Sequence, residues 1–476
     1  MSRLPAWVLV LAVWAAVYLP GLGTFEIKGE EGRRILPAMA MLASGNYLIP
    51  QVGSDIYFSK PPLVNWLIAA SFRLLGRSEW SARLPSVAAI LAVAMAFITI
   101  GRVGLGRRGS SIAALVWLTT FGLIEKGRLI EIEALYVSLV ALAVICWLSW
   151  WLGKASPWLT WTVPWLWLGL GWLAKGPVHL IFFYAVVLGV LCQFRQLKQL
   201  LHPAHFLGLL VMLGMFAAWA VPFLEASGQW RGLTKWTAQF TGRASPHLFS
   251  AAATLSTIGR AAGQFFPWIL FVPLVRVSKL AEPEDRAVAK GLSWAFGLPV
   301  MLVSLVPVSS PRYSLPAAAA FAWLVSLPLD RNAFASLPWI SNRYRTLWQR
   351  LGLPLAIIIA AVCLPGFLIL ARLPNKRERI RSVAAEVNSR VAHSETLYAV
   401  DPGYQPFLFY VHAPVKYLAS LDQLPGAAHF FFVRANREAE VSQSELLQRR
   451  KVALVLRLRD YRGETILLYQ LTEAEG

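Results

Sequence analysis

The acidic residues of this 476-residue chain are few, and most of the chemistry it could do depends on where they fall. Of its 25 Asp and Glu, 12 follow Pro374 and 13 precede it. Five of those 13 lie between two early apolar runs (Glu26, Glu30, Glu31, Asp55, Glu79), and three more follow in a later gap (Glu125, Glu131, Glu133). Carboxylates in or beside a bilayer are costly, so their concentration in two gaps marks a candidate site. Glu26, Asp55 and Glu79 read as solvated loop charges. Glu30-Glu31-Gly32-Arg33-Arg34 opens a helix expected over residues 31–42, where Glu31 can simply oppose the positive end of the helix dipole. Glu131 and Glu133 follow Gly127-Arg128-Leu129 at the mouth of an apolar run. Glu133 is there either as an ion-pair partner of Arg128 or as part of a buried polar site, and residue types alone leave both open. In Tyr57-Phe58-Ser59-Lys60-Pro61-Pro62-Leu63, the prolines can start a helix over residues 63–73 and hold Lys60 extended before it. A lysine at a helix start is unfavourable unless it serves an anion. A lipid-headgroup anchor is the plainer reading of Lys60 taken alone.

The elements that must position these residues belong to a membrane. Hydrophobic residues make up 57% of the chain and charged residues 15%, with a mean hydropathy of +0.54. Soluble domains carry about a quarter charged residues, so an ordinary cytosolic enzyme is excluded. The 21 tryptophans and 29 prolines fit aromatic belts and interrupted apolar segments. The net charge of +20 is not the mark of a nucleic-acid partner: from Pro374 onward 14 Lys and Arg face 12 Asp and Glu, so nearly all the excess lies between apolar runs. Cys146, Cys192 and Cys363 sit inside such runs without paired spacing, which leaves neither a disulfide framework nor a cysteine metal site.

About eleven apolar windows are long enough to cross a bilayer. They centre near residues 14, 93, 117, 142, 166, 185, 214, 271, 298, 322 and 362. The first, over residues 6–22, lacks a small-residue cleavage site and is read as a span. Basic density in the short loops at 102–108, 154, 195–205, 276–290 and 330–350 puts those loops and the N-terminus in the cytoplasm. Residues 23–83, 225–263 and everything after Arg372 then face outward. The tail changes character: an amphipathic helix over 377–391, β-like runs at 396–400, 429–434, 452–459 and 465–470, and a helix within 440–449. The expectation is a mainly α, polytopic membrane domain over 1–373, with outer-loop helices within 30–75, followed by a small soluble α/β domain over 374–476. There is no internal repeat.

With these motifs in order, the chain resembles the membrane glycosyltransferases of the protein-O-mannosyltransferase and aminoarabinose-transferase superfamily (glycosyltransferase family 39, GT-C fold). The resemblance covers roughly the first 330 residues. The family's Asp-Glu-x-Arg-Tyr after the first span is matched by Glu30-Glu31-Gly32-Arg33-Arg34, its Gly-Asp-Trp by Gly45-Asn46-Tyr47, and its Tyr-Phe-Glu-Lys-Pro-Pro-Leu by the run from Tyr57 to Leu63. Further matches are Glu79-Trp80-Ser81-Ala82-Arg83-Leu84-Pro85-Ser86, Gly127-Arg128-Leu129 with Glu133 at the family's acidic position, and Leu173-Ala174-Lys175-Gly176-Pro177. Ser309-Ser310-Pro311-Arg312-Tyr313-Ser314-Leu315-Pro316 is similar to the family's serine-lysine-tyrosine-proline loop, with Arg312 for lysine. Each motif is weak alone; their order around the spans is specific.

The resemblance implies transfer of a sugar from a polyprenyl phosphate, at the outer face of the inner membrane, to a lipid, glycan or protein acceptor. It implies Glu30 as the base that orients or deprotonates the acceptor. Glu133 becomes a second catalytic carboxylate, which binds sugar hydroxyls or holds Arg128. Glu31, Arg33, Tyr57, Lys60, Arg128, Arg312 and Tyr313 become substrate-binding residues, the cations gathered around the leaving phosphate. Ser59 stands where the family has a glutamate that can help bind a metal, so no metal and no cofactor beyond the lipid-linked donor is expected. The partners expected are membrane lipids, donor and acceptor, with no nucleic acid. An O-antigen polymerase or ligase would also use outer-face arginines, but has no reason to carry Tyr-Phe-Ser-Lys-Pro-Pro. A transporter or flippase would want charges at the bilayer midplane and paired repeats.

Overall fold

The computed structural model describes residues 5–27, 29–228, 230, 251–306, 309–331, 333, 380–444, 447, 450–460 and 463–473. The span expected near residue 362, most of the loop at 330–350, and much of the outer piece at 225–263 lie outside the described residues. Among the described residues, the first thirteen helices in chain order are α1 (Ala6–Tyr18), α2 (Gly32–Ser44), α3 (Leu63–Leu75), α4 (Glu79–Thr99), α5 (Arg102–Thr119), α6 (Phe121–Gly127), α7 (Ile132–Leu152), α8 (Pro157–Ala174), α9 (His179–Gln193), α10 (Pro203–Ser227), α11 (Ala251–Gly263), α12 (Pro283–Leu305) and α13 (Ala318–Arg331). The chain forms two compact units: Met1–Leu22, Ser59–Val64 and Arg83–Leu370 in the first, Gly23–Phe58, Asn65–Ala82 and Ala371–Gly476 in the second. The division expected at residue 374 is therefore crossed, because most of the first outer segment packs with the tail rather than with the spans.

In the first unit, helices occupy the apolar runs near 14, 93, 117, 142, 166, 185, 214, 298 and 322. Among the described residues, α4, α7, α10 and α12 are long and apolar enough to cross a bilayer. The run near 271 does not continue as a helix of that length. It is a short 3-10 segment, Trp268–Leu274, bracketed by Pro267 and containing Pro273, and each proline removes a backbone donor that a longer α-helix would need.

The centre of this unit is α7. Every residue from Ile132 to Ala141 is buried, as expected of a helix apolar all the way round. It packs against α8, α5, α9 and α13, and against the 3-10 turn Pro311–Ala317. Outside it, α8 packs on α10 and α9 on α12. Helices in lipid gain little from apolar contact alone and rely on close approach at small residues. The crossing of α9 and α12 shows this: a Cβ on Gly189 would lie 2.5 Å from the Gly291 carbonyl oxygen, and one on Gly291 2.7 Å from that of Gly189.

The second unit contains α2, α3, a two-stranded hairpin of β1 (Gln51–Val52) and β2 (Asp55–Ile56), and a five-stranded sheet. That sheet comprises β3 (Leu397–Val400), β4 (Val415–Leu418), β5 (Phe430–Arg434), β6 (Arg450–Arg459) and β7 (Thr465–Glu473), ordered β4-β3-β5-β7-β6. β3 runs parallel to β4 and β5, while β7 runs antiparallel to β5 and β6. Strand alternation supplies both faces of the sheet. Leu397, Ala399, Phe430, Phe432, Ile466 and Leu468 share one core with Ile380, Ala384 and Val387 of the helix Ile380–Asn388. Tyr398, Val400, Phe431, Val433, Leu467 and Tyr469 share the other with Val441. Four of the five strands were expected. β4 was not, since its Lys-containing sequence is only half-buried and lies at an edge.

The glycine crossing yields a quantitative expectation. Gly291→Leu should destabilise the detergent-purified protein by about 1–3 kcal/mol, the usual cost of overpacking. Gly297→Leu, on the same helix with nothing within 4 Å of its Cβ position, should leave the melting temperature near wild type. Equal melting of the two variants would contradict the packing described.

Candidate functional site

The charged residues of the first unit converge where α7 begins. α5 ends at Thr119, Thr120 is extended (φ −72°, ψ 123°), and the short α6 carries the chain to Arg128. Glu131 is extended again (φ −104°, ψ 152°) as the residue before α7, and Glu133 lies in that helix's first turn. Both carboxylates thus sit at the positive end of the helix dipole.

Three cations answer them from separate parts of the chain. Lys126, in the last turn of α6, places Nζ 3.2 Å from Glu131 Oε1 and 3.0 Å from Glu125 Oε1. Arg312, on the 3-10 turn Pro311–Ala317, places Nη1 3.1 Å from Glu131 Oε2 and Nε 3.3 Å from Glu133 Oε1. Lys175, just past the end of α8, places Nζ 3.0 Å from Glu133 Oε1. The next residue, Gly176, has φ +134°, a conformation that needs glycine. The chain therefore reverses into Pro177 immediately after the lysine. Lys175 Nζ also lies 4.6 Å from the centroid of the Tyr313 ring and 5.2 Å from that of Tyr136, and the Arg312 guanidinium 5.9 Å from Tyr313. These are cation–π distances.

The result is one alternating chain of charge, Lys126–Glu131–Arg312–Glu133–Lys175. Glu133 is buried, with its side chain 7% exposed, and Glu131 nearly so at 12%. Burial raises the pKa of Glu131 and Glu133's charge adds to the rise, against the pull of Lys126 and Arg312. Burial works against the charges of Lys126 and Arg312 too, but the carboxylates outweigh it and both hold their protons above the ordinary range.

Arg128 is not among the ion-pair partners of Glu133. Glu133 takes Lys175 and Arg312 as partners, while Arg128 donates from Nη1 to the Val17 carbonyl at 2.6 Å and from Nη2 to the Pro20 carbonyl. Burial, with Arg83's charge adding and Tyr18 opposing, brings its pKa down to about 10. Its guanidinium satisfies carbonyls where α1 ends, a need that all helix ends share. Lys60, also in this unit, is half-buried in the stretch before buried Pro61 and Pro62.

Glu30, Glu31, Arg33 and Tyr57 belong to the second unit. Glu30 is exposed in the 3-10 turn Gly29–Glu31 and pairs with Arg33 at 3.4 Å, whereas Glu31 is buried. The turn is held by Tyr404, whose hydroxyl donates to the Gly29 carbonyl and accepts from the Arg33 amide at 3.1 Å; Arg33 lies 5.1 Å over the Tyr404 ring. A Cβ on Gly32 would come within 2.8 Å of that hydroxyl, which accounts for glycine between the two acids and the two arginines. Tyr57 accepts a hydrogen bond from the buried Arg34.

The sequence reading did not give Lys126, Lys175 or Glu131 a role. Lys175 carried a signal, a lone lysine between two apolar runs, which demands a counter-charge.

Comparison with solved structures gives the fold. The crystal structure of ArnT from Cupriavidus metallidurans bound to undecaprenyl phosphate superposes with a TM-score of 0.74 at 17% identity, covering 97% of both chains. The fold is that of the GT-C membrane glycosyltransferases. The family model for dolichyl-phosphate-mannose-protein mannosyltransferases matches residues 59–221. The undecaprenyl phosphate-alpha-4-amino-4-deoxy-L-arabinose arabinosyl transferase of Pseudomonas paraeruginosa is 25% identical over 461 residues, 90% of this chain and 81% of that protein. The Edwardsiella ictaluri enzyme of the same name is 24% identical over 317 residues, and there the match spans about half of the relative's length, 49%. In fold and in sequence the chain is thus similar to the protein-mannosyl and aminoarabinosyl transferases.

If Arg128 is a clasp, Arg128→Met should lower stability by about 1.5–3 kcal/mol, the worth of a charged hydrogen bond. The measurement is a thermal melt in detergent. A wild-type melt combined with lost binding of a polyprenyl phosphate would return Arg128 to substrate binding.

Proposed function

We propose that this protein transfers a sugar from a polyprenyl phosphate to a hydroxyl or phosphate oxygen of a lipid, glycan or protein, at the outer face of the inner membrane. The observation that carries the reading is the buried Glu133 bracketed by Lys175 and Arg312 at the start of α7. A scaffold gains nothing from three cations brought to so few carboxylates beside apolar helices; a reaction that releases a phosphate does. The names of the relatives, which are undecaprenyl-phosphate aminoarabinose transferases, support a donor of that chemical kind.

In this mechanism the acceptor oxygen attacks the anomeric carbon as the bond from that carbon to the phosphate oxygen breaks. The electron pair leaves with the lipid phosphate, whose charge rises. Arg312, Lys175 and Lys60 stabilise that charge, and the Tyr313 hydroxyl donates to it. Glu30 takes the proton from an acceptor hydroxyl, with Arg33 holding its carboxylate. Glu133 binds sugar hydroxyls. Glu31, buried behind this turn, and Tyr57, fixed by Arg34, support it rather than touch substrate. The cations serve without a divalent ion, since Ser59 offers no carboxylate before Lys60.

The reading is tested by mass spectrometry of envelope lipids, glycans and proteins from cells carrying the wild-type gene, a Glu30→Gln variant or a deletion. A sugar-sized mass difference should vanish in the deletion and fall by about 10²–10⁴ in initial rate with the variant, and transfer in isolated membranes should persist in EDTA. Identical profiles in all three strains would refute the function.

Orientation is tested separately. A periplasmic phosphatase fused after Gly476 should be active, and a reporter that needs the cytoplasm silent. The opposite pattern would place the sheet module inside the cell.

A further inference from the structure

We infer that Glu131 and Lys126 are positioning residues that fix the Arg312 guanidinium for the donor's phosphate. This rests on the donor chemistry proposed above.

The argument starts from how the two carboxylates are used. Both ion pairs of Glu133 fall on Oε1, from Lys175 and from Arg312. Glu131 is used at both ends: Oε1 takes Lys126 and Oε2 takes Arg312. A carboxylate bridged at both oxygens between two cations is poorly placed to accept a substrate proton and well placed to hold something still. What it holds is a long side chain with much rotamer freedom to lose. Arg312 donates from Nη1 to Glu131 Oε2 at 3.1 Å, while Nε lies 3.3 Å from Glu133 Oε1 as an ion pair without a hydrogen bond, and the central carbon is 5.9 Å from the Tyr313 ring centroid. The hydrogen bond to Glu131 is the directional contact that orients the guanidinium, with the charge of Glu133 close beside it. The side chain remains 31% exposed, and neither carboxylate engages Nη2, so the group can still present donors to an anion. Pre-organisation of this kind improves binding by removing the ordering cost.

Lys126 makes the arrangement possible. Glu131 and Glu133 are two residues apart and nearly buried, so their mutual repulsion favours protonation of one of them. An ammonium 3.2 Å from Glu131 opposes that, and it comes from α6, an element that contributes nothing else to the charge chain beyond Glu125. Lys126 therefore favours the anionic form of Glu131, the form that accepts most strongly from Arg312.

The test is binding of undecaprenyl phosphate to the full-length protein in nanodiscs, comparing wild type with Glu131→Gln, Glu131→Asp and Lys126→Met, with a thermal melt for each. Glu131→Gln should weaken binding about tenfold, equivalent to about 1.4 kcal/mol. Glu131→Asp, which keeps the charge and withdraws it by one methylene, should lie between Gln and wild type, and Lys126→Met should follow Gln. In an Arg312→Lys background, which lacks the fork, Glu131→Gln should add less than twofold. Additive losses in the double variant, or wild-type affinity of Glu131→Gln, would overturn the positioning role while leaving the donor reading intact. If Glu131→Gln melts early, the folded Glu131→Asp variant carries the comparison, and its equality with wild type would be equally fatal. Wild-type protein that does not bind undecaprenyl phosphate would remove the donor reading and this inference with it.

Discussion

Charge that cannot reach water has to find opposite charge, and the first unit is organised around that constraint. Taking a carboxylate out of water costs several kcal/mol even in relaxed proteins, and removing one partner of a buried pair costs about 3–5 kcal/mol. Glu131 and Glu133 impose this requirement where a wholly buried helix begins. The answering cations stand at 126, 175 and 312, so α6, the end of α8 and the turn before α13 are each tied to the same few ångströms. Apolar packing brings these helices together; the ion chain dictates which residues face one another at the rim. The same side chains that are proposed to hold substrate form a structural clamp.

Much of the helical plan was readable because bilayer thickness turns composition into length. Runs near 93, 142, 214 and 298 became helices of 21 to 25 residues, and strand alternation in the tail gave four of five strands. What composition could not show was how two prolines divide the run near 271, or that a half-exposed strand such as β4 would take an edge. The site was legible as a set of residue types and illegible as a set of partners. Arg128 lies five positions from Glu133, and sequence distance made them an obvious pair. Its actual acceptors are main-chain carbonyls at Val17 and Pro20, and a carbonyl at a helix end has no letter in the sequence. Lys175 and Arg312 reach Glu133 only because of how α8 and the turn at 311–317 pack on α7.

The second unit teaches the same lesson from the other end of the chain. Residues 23–58 looked like a loop between spans, and the tail like an appended domain. Tyr404 shows why neither description holds. Its hydroxyl closes the turn that carries Glu30, and Gly32 is small because that hydroxyl is there. The carboxylate proposed as the base thus depends on a residue 375 positions from Gly29, in a segment whose sequence resembles no part of the motif pattern.

The sheet order leaves β6, ten residues long, as an outer strand. Exposed sheet edges invite pairing with other edges. Membrane residence sharpens that hazard, because every copy of a polytopic protein floats at the same depth and in the same orientation. Identical edges then meet in two dimensions far more often than they would in free solution. Lys451 and Arg459 are exposed along this strand, Arg457 being paired with Glu438, and a second β6 brought alongside would set cation against cation. A basic edge discourages such pairing, so copies of the protein can crowd a membrane without their sheets joining into ribbons.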